Sequence, residues 1–253
     1  VTGTTTIDNA TLTQSGVSSK LGTDGTDAST VTVGSGGVYV ANDGIAGDVT
    51  NNGGTITAAG TNFASLDNKS GGTVTIKDSK KLEAGSLRND GNLILEANAT
   101  FEGTGNTFNN DGTTTVADGG SIIDAGAINN LADGTLTFAG DATVNADSDN
   151  VGDEIVTNAG TFIVNNTGGS IVAVGGDAFG GDAFTNSGTG TIAVNGLSTL
   201  SGITTLTNTS TSAAAINVAM GATLSATTLN SSEGTITVAG TLDAATTITG
   251  GTL

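Results

Sequence analysis

The chain has 253 residues and a formal net charge of −18, with 41 glycines and no cysteine, proline, histidine or tryptophan. Without cysteine or histidine it cannot form disulfides, thiolate or imidazole metal sites, a cysteine nucleophile or a Ser-His-Asp triad. So acidic a surface repels phosphate, and no apolar run is long enough to cross a bilayer. We therefore expect no nucleic-acid partner and no membrane insertion.

The first 45 residues are the least regular part of the sequence. The triplet Ile7-Asp8-Asn9 resembles a later repeat and lies 42 residues before Val49, which leaves room for two units of 21 residues. We expect these residues to form the less regular first coils of the same domain.

A sequence unit recurs from residue 49 onward. It consists of an apolar residue, any residue, asparagine, a short glycine-containing turn, and then threonine followed by alternating apolar residues. Copies begin at Val49, Leu66, Leu87, Phe108, Ile128, Val156, Phe184, Leu206 and Leu229, with a partial copy at Ile248. Such a regular spacing is typical of solenoid proteins.

Each unit alternates apolar and polar residues, as at Leu93 and Leu95 or at Leu136 and Phe138. This alternation, with a second apolar patch after each turn, predicts about three short strands per unit. A unit this short cannot bury its own apolar face, but stacked copies can. The sequence thus predicts an all-β, right-handed parallel β-helix of about 11 coils of roughly 20 residues. It forms one domain over 1–253, and its handedness follows from the general preference of parallel crossovers.

The recurring asparagine has two interpretations, and both are structural. Asparagine tolerates left-handed backbone and bonds its own turn. In stacked coils its amide can also bond from coil to coil as a ladder. The predicted ladder consists of Asn51, Asn68, Asn89, Asn110, Asn130, Asn158, Asn186 and Asn208.

The motif Asn-x-Gly-Thr-Ile-Thr-Val and its variants, at 51–58, 158–164 and 231–238, resemble the repeats of secreted bacterial passenger domains. These are the autotransporter and filamentous-haemagglutinin-like adhesins, and the resemblance covers roughly residues 45–253. It implies a right-handed β-helix exported to the bacterial cell surface for adhesion, aggregation or surface structure. The sequence contains neither a recognisable protease motif nor a translocator.

Two repeat intervals are longer than the rest, at 28 residues each, so we expect loops within 139–156 and 165–184. The first contains Asp147, Asp149, Asp153 and Glu154, which partly match a calcium loop; the alternative is a solvated acidic loop. The second duplicates Gly-Gly-Asp-Ala-Phe and offers Phe179 as an exposed partner contact. Calcium is the one cofactor that these residues suggest; otherwise we expect none.

We expect no enzymatic activity. Residues 89–253 carry sixteen acidic residues and no basic one, so a uronate substrate would be repelled and developing charge would lack a basic partner. The predicted function is a secreted or cell-surface rod, an adhesin stalk that contacts host, cell or self surfaces. Two alternatives stay open: a filament or surface-layer subunit that associates end to end, and a carbohydrate-binding or carbohydrate-active β-helix, since a neutral-sugar glycosidase needs only two carboxylates.

Overall fold

The computed structural model describes residues 3–16, 20–21, 30–123, 125–145, 155–166, 171–174 and 183–253. Within these ranges the chain forms strands and turns and no helix. In chain order the strands are β1 (Thr4–Ile7), β2 (Thr11–Ser15), β3 (Lys20–Leu21), β4 (Thr30–Val33), β5 (Val38–Asn42), β6 (Ile45–Asn51), β7 (Thr55–Ala59), β8 (Thr61–Asn68), β9 (Thr73–Ile76), β10 (Lys81–Ala84), β11 (Leu87–Asn89), β12 (Asn92–Leu95), β13 (Thr100–Glu102), β14 (Thr107–Asn110), β15 (Thr113–Val116), β16 (Gly120–Ile123), β17 (Ala127–Asn130), β18 (Thr135–Phe138), β19 (Ala142–Asn145), β20 (Ile155–Asn158), β21 (Thr161–Asn166), β22 (Ile171–Val174), β23 (Ala183–Asn186), β24 (Thr191–Gly196), β25 (Thr199–Asn208), β26 (Ile216–Val218), β27 (Thr223–Ser231), β28 (Ile236–Val238) and β29 (Thr241–Ile248).

The strands form two sheets in which neighbouring strands are parallel and come from successive coils. One sheet has 18 strands and the other has 11. In a representative coil, β10 and β11 belong to the larger sheet and β12 to the smaller, and each pairs with its counterpart in the coils before and after. The predicted fold class is confirmed: the chain is an all-β parallel solenoid. Its handedness and the division of its one domain stay predictions.

The core is a single cluster of inward-facing apolar side chains that runs the length of the solenoid. Strand register stacks Leu136, Phe162 and Ile192 in one column. Phe138, Phe162 and Phe184 are fully buried and their rings touch in sequence, with centroids 5.2 Å and 5.0 Å apart. Each coil therefore supplies part of the apolar lining that buries the next.

A glycine precedes most strands of the smaller sheet because the turns of neighbouring coils pack backbone against backbone. A Cβ atom at Gly112 would lie 2.2 Å from the carbonyl oxygen of Gly91. At Gly160 it would lie 2.2 Å from the carbonyl oxygens of Gly134 and Leu131. Any side chain there would force the coils apart, which explains the recurring glycine of the repeat.

The alignments predicted for the two ends of the solenoid are wrong by two residues. Thr5, rather than Ile7, shares the column of Val49, through Val31. At the other end Ile248 pairs with Ser231 instead of starting a copy. A two-residue shift keeps every side chain on the same face of a strand, so alternation of apolar and polar residues cannot detect it.

We predict that Phe162→Ala strongly destabilises the protein, by about 3–5 kcal/mol, because it removes a buried ring and leaves a cavity between two aromatic neighbours. The measurement is the urea midpoint of unfolding. The matched control is Ile163→Thr, which changes the next residue of the same strand on its partly exposed face. A control that unfolds as readily as Phe162→Ala would contradict the stacked-core arrangement.

Candidate functional site

The eight recurring asparagines lie in one buried column inside the solenoid. Each is at most 1% exposed. The side-chain Nδ2 of each of the first seven donates to the Oδ1 of the next, at 2.8 Å for Asn51, 2.7 Å for Asn68, 2.8 Å for Asn89, 2.7 Å for Asn110, 2.7 Å for Asn130, 2.8 Å for Asn158 and 2.8 Å for Asn186. The structure brings all eight together as a continuous amide ladder.

The same amides also close the turns of their coils. Asn130 Nδ2 donates to the carbonyl oxygen of Gly134 in its own turn, at 3.2 Å, and to that of Thr161 in the next coil, at 2.9 Å. The turn and ladder bonds predicted for the asparagine thus belong to one side chain that bonds within and between coils. The left-handed backbone expected for a turn residue is wrong, because the eight asparagines end strands and none has a positive φ. Because buried polar groups must be paired, this column fixes the vertical alignment of the turns.

The ladder ends in smaller or apolar side chains. Asn208 Nδ2 donates to Ser231 Oγ at 3.0 Å. Beyond Asn51, strand register places Val33 and then Ile7 in the same column, and both are buried. The amides thus form a finite polar column inside an otherwise apolar core, and their burial leaves them no role toward a ligand in solution.

The predicted loop residues lie outside the described parts of the chain. These are Asp147, Asp149, Asp153 and Glu154, proposed for calcium, and Phe179, proposed as a partner contact. Within the described ranges, no group of three or more acidic side chains is placed to hold a metal ion. The same ranges contain no helix that could span a membrane. Calcium binding stays a prediction.

Four basic residues pair with carboxylates on the surface of the first half of the chain. Lys77 Nζ lies 2.6 Å from Glu96 Oε1 in the next coil, and Lys81 bonds both Glu83 and Glu102. The bond from Lys77, with a second from the backbone N–H of Asp78, lowers the pKa of Glu96 below its usual range. The bonds from Lys81 to Glu83 and Glu102 raise the pKa of that ammonium group. The Lys77–Glu96 and Lys81–Glu102 pairs join successive coils on the outside, as the amides do on the inside.

A shallow groove crosses the outer face of β8, β11 and β14. Its volume is about 240 Å³, and it is lined by Ser65, Leu66, Asp67, Ser86, Leu87, Arg88, Thr107 and Asn109. Asp67 pairs with Lys69, and Arg88 Nε donates to Asp90 Oδ1 at 2.8 Å. Strand pairing puts Asp67, Arg88 and Asn109 in one outward column, so charges of opposite sign sit in neighbouring coils.

This groove was not predicted from the sequence, although the repeat contains a signal for it. The groove column is the variable position between the apolar residue and the ladder asparagine. That position is occupied by Thr50, Asp67, Arg88, Asn109, Asn129, Thr157, Thr185, Thr207 and Asn230. Only Asp67 and Arg88 are charged there, and they occupy consecutive copies.

Comparisons with known proteins leave the family of the chain open. No family model and no curated protein matches it. Among solved structures, the chain is similar to a crystal structure of a TibA fragment hyper-glycosylated by TibC catalysis. The identity is 15% and the TM-score 0.37, with 99% of this chain and 94% of that chain covered. A similarity this distant carries no argument about function.

We predict that Asn130→Asp destabilises the protein at neutral pH and that acidification reduces the loss. A buried carboxylate at this position cannot donate to Asn158, and burial raises its pKa in the folded state. The loss in free energy of unfolding relative to wild type is therefore largest at pH values above that raised pKa. It becomes smaller as the pH falls from 7 to about 4. Urea midpoints at both pH values measure it.

The control for that prediction is Asn129→Asp, because Asn129 is the preceding residue and its side chain is partly exposed. We expect a small, nearly pH-independent effect there. An equal loss in both variants, or a deficit in Asn130→Asp that grows on acidification, would contradict a buried amide ladder.

We also predict that Lys77→Met raises the pKa of Glu96 toward its ordinary value, because the largest cause of its lowering is removed. The stabilisation from this pair is present above the ordinary glutamate pKa and is lost as pH falls through the lowered pKa. It is small because both side chains are well exposed. Carbon-detected NMR titration of the Glu96 carboxyl measures the shift. In Lys80→Met, the control, Glu96 should titrate as in wild type; an unchanged Glu96 in Lys77→Met would refute the pairing.

Proposed function

We propose that this chain is a non-enzymatic rod of a secreted or cell-surface bacterial protein and acts as an adhesin stalk. The observation that carries the proposal is the unbroken coil-to-coil pairing of the smaller sheet. Its 11 strands stack in parallel register from β2 to β28, each on the one before. At about 4.8 Å per strand the stack is roughly 50 Å long, which suits a spacer that holds binding surfaces away from a cell.

Two internal features support a stiff rod. The apolar core is continuous, and the amide ladder ties eight successive coils together inside it. A coil cannot slip or tilt without breaking backbone pairing, buried amide bonds and apolar packing at once. Shape is therefore maintained along the whole stack, as a stalk requires.

The outer face of the smaller sheet supports a role in surface contact. Its two central outward columns carry no charged residue over the described strands, although the chain as a whole has a net charge of −18. Threonines predominate, as in the adjacent pairs Thr113 with Thr135 and Thr115 with Thr137. Such a neutral, hydroxyl-bearing face avoids repelling another acidic surface and can hydrogen-bond to it.

The test is adhesion of beads that carry the purified chain, coupled through a terminal tag. We expect these beads to be retained on glycoprotein-coated or bacterial surfaces more than beads that carry Phe162→Ala or albumin. Retention no better than albumin on every surface would refute the adhesin role that we propose for the chain.

Two further readouts decide between the alternatives. Release of reducing ends from neutral polysaccharides by the folded chain would overturn the non-enzymatic proposal and favour a carbohydrate-active β-helix. Fibres in the electron microscope that lengthen with protein concentration would instead make the chain a filament subunit.

A further inference from the structure

The groove across β8, β11 and β14 contains a buried polar atom without a partner. Asp67 Oδ2 pairs with Lys69, but Asp67 Oδ1 is buried and has no hydrogen bond within the described part of the chain. An unpaired buried acceptor costs about 1–3 kcal/mol, and more when it is charged. The Asp67 side chain as a whole is 34% exposed in the groove, so a rotation of its carboxylate brings this oxygen to the surface, where a ligand donor would remove that cost.

Arg88 provides unused donors beside that acceptor. Its Nε donates to Asp90 Oδ1, whereas its two terminal nitrogens have no partner among the described residues. Asp90, with smaller contributions from Asp67 and Asp111, raises the pKa of the guanidinium group, so it stays charged. Arginine presents its donors in a fixed plane, which suits a ligand with two adjacent oxygens.

The remaining polar groups of the groove are neutral. Ser65, Ser86 and Thr107 offer hydroxyls, and Asn109 offers an amide. Two of them already have partners: Ser65 Oγ bonds Asp48 Oδ1 at 2.7 Å, and Asn109 Oδ1 accepts from Asn129 Nδ2 at 3.0 Å. A hydroxyl can still both donate and accept, so the groove can match a ligand whose groups do the same.

Charge and size define the ligand class. Asp67 and Arg88 balance each other, while the nearby carboxylates of Asp48, Asp90 and Asp111 disfavour an anion. The volume of about 240 Å³ is below the roughly 300–1,000 Å³ usual for larger ligands, so one small unit fits. A neutral molecule of that size with several adjacent hydroxyls is a sugar.

We propose that this groove binds one neutral sugar unit of a surface glycan, with the Asp67 carboxylate accepting from a sugar hydroxyl and Arg88 donating to neighbouring sugar oxygens. The inference deepens the proposed attachment role by naming a partner, and it rests on that role only for its biological use. A small open groove without an aromatic platform gives weak affinity. We expect dissociation constants in the millimolar range, about −4 kcal/mol, strengthened when many copies are displayed.

The experiment is saturation-transfer NMR of the whole chain with a panel of neutral methyl glycosides, followed by titration of the sugars that bind. The test variants are Asp67→Thr and Arg88→Thr. Threonine occupies the same column one coil earlier, at Thr50, so the backbone accommodates it. We expect each variant to bind about tenfold or more weakly, because each loses a charged hydrogen-bonding group.

The controls remove the same charges elsewhere. Asp243→Thr removes an acidic residue in the last strand, and Lys80→Thr removes an exposed cation outside the groove. We expect both variants to bind the sugars as wild type does. No binding of any neutral sugar by wild type, or unchanged binding by Asp67→Thr and Arg88→Thr, would overturn the groove assignment. Tighter binding of a uronate or sialic acid than of any neutral sugar would overturn the ligand class. Sugar binding in solution and adhesion of beads are separate measurements. The groove assignment can therefore fail while bead adhesion persists, and bead adhesion can fail while the groove still binds a sugar.

Discussion

Parallel pairing of each coil with the next is the constraint on which the rest of the structure depends. Every backbone hydrogen bond of the sheets joins residues about one repeat apart, so each coil must trace the same cross-section as its neighbours. The turn glycines follow from this requirement, since Gly112 and Gly160 sit where a neighbouring carbonyl leaves no room for a Cβ atom. Extra residues in a coil have to leave the cross-section as loops.

The same stacking explains how polar residues come to lie inside the solenoid. An isolated buried asparagine would leave donors and acceptors unpaired, which is costly in an apolar core. When an asparagine recurs at the same position of successive coils, this cost is removed, because each amide donates to the amide of the next coil and accepts from that of the previous one. The larger the number of coils, the smaller the share of amides at the ends, where Ser231 takes the last donated bond.

Stacking also sets the electrostatics of the outer surface. Residues at the same repeat position are neighbours in space, so like charges there would repel and opposite charges attract. The chain places Lys77 against Glu96 and Lys81 against Glu102 across coils. Asp67 and Arg88 follow the same rule, but Asp67 Oδ1 has no hydrogen bond within the described part of the chain.

The sequence by itself determined the fold class, the repeat and the facing of its side chains, because all three depend on periodicity along the chain. The two-residue alternation marked Leu93, Leu95 and Phe138 as inward, and the structure buries all three. Only the tertiary structure decided the register at the two ends, because a shift of two residues leaves the alternation intact. It alone also revealed the groove: the repeat aligns Asp67 with Arg88, 21 residues later, but the shape of the surface around them exists only when one coil lies on the next. Contacts between coils depend on the register of their strands, and this register is set by packing and backbone pairing between successive coils.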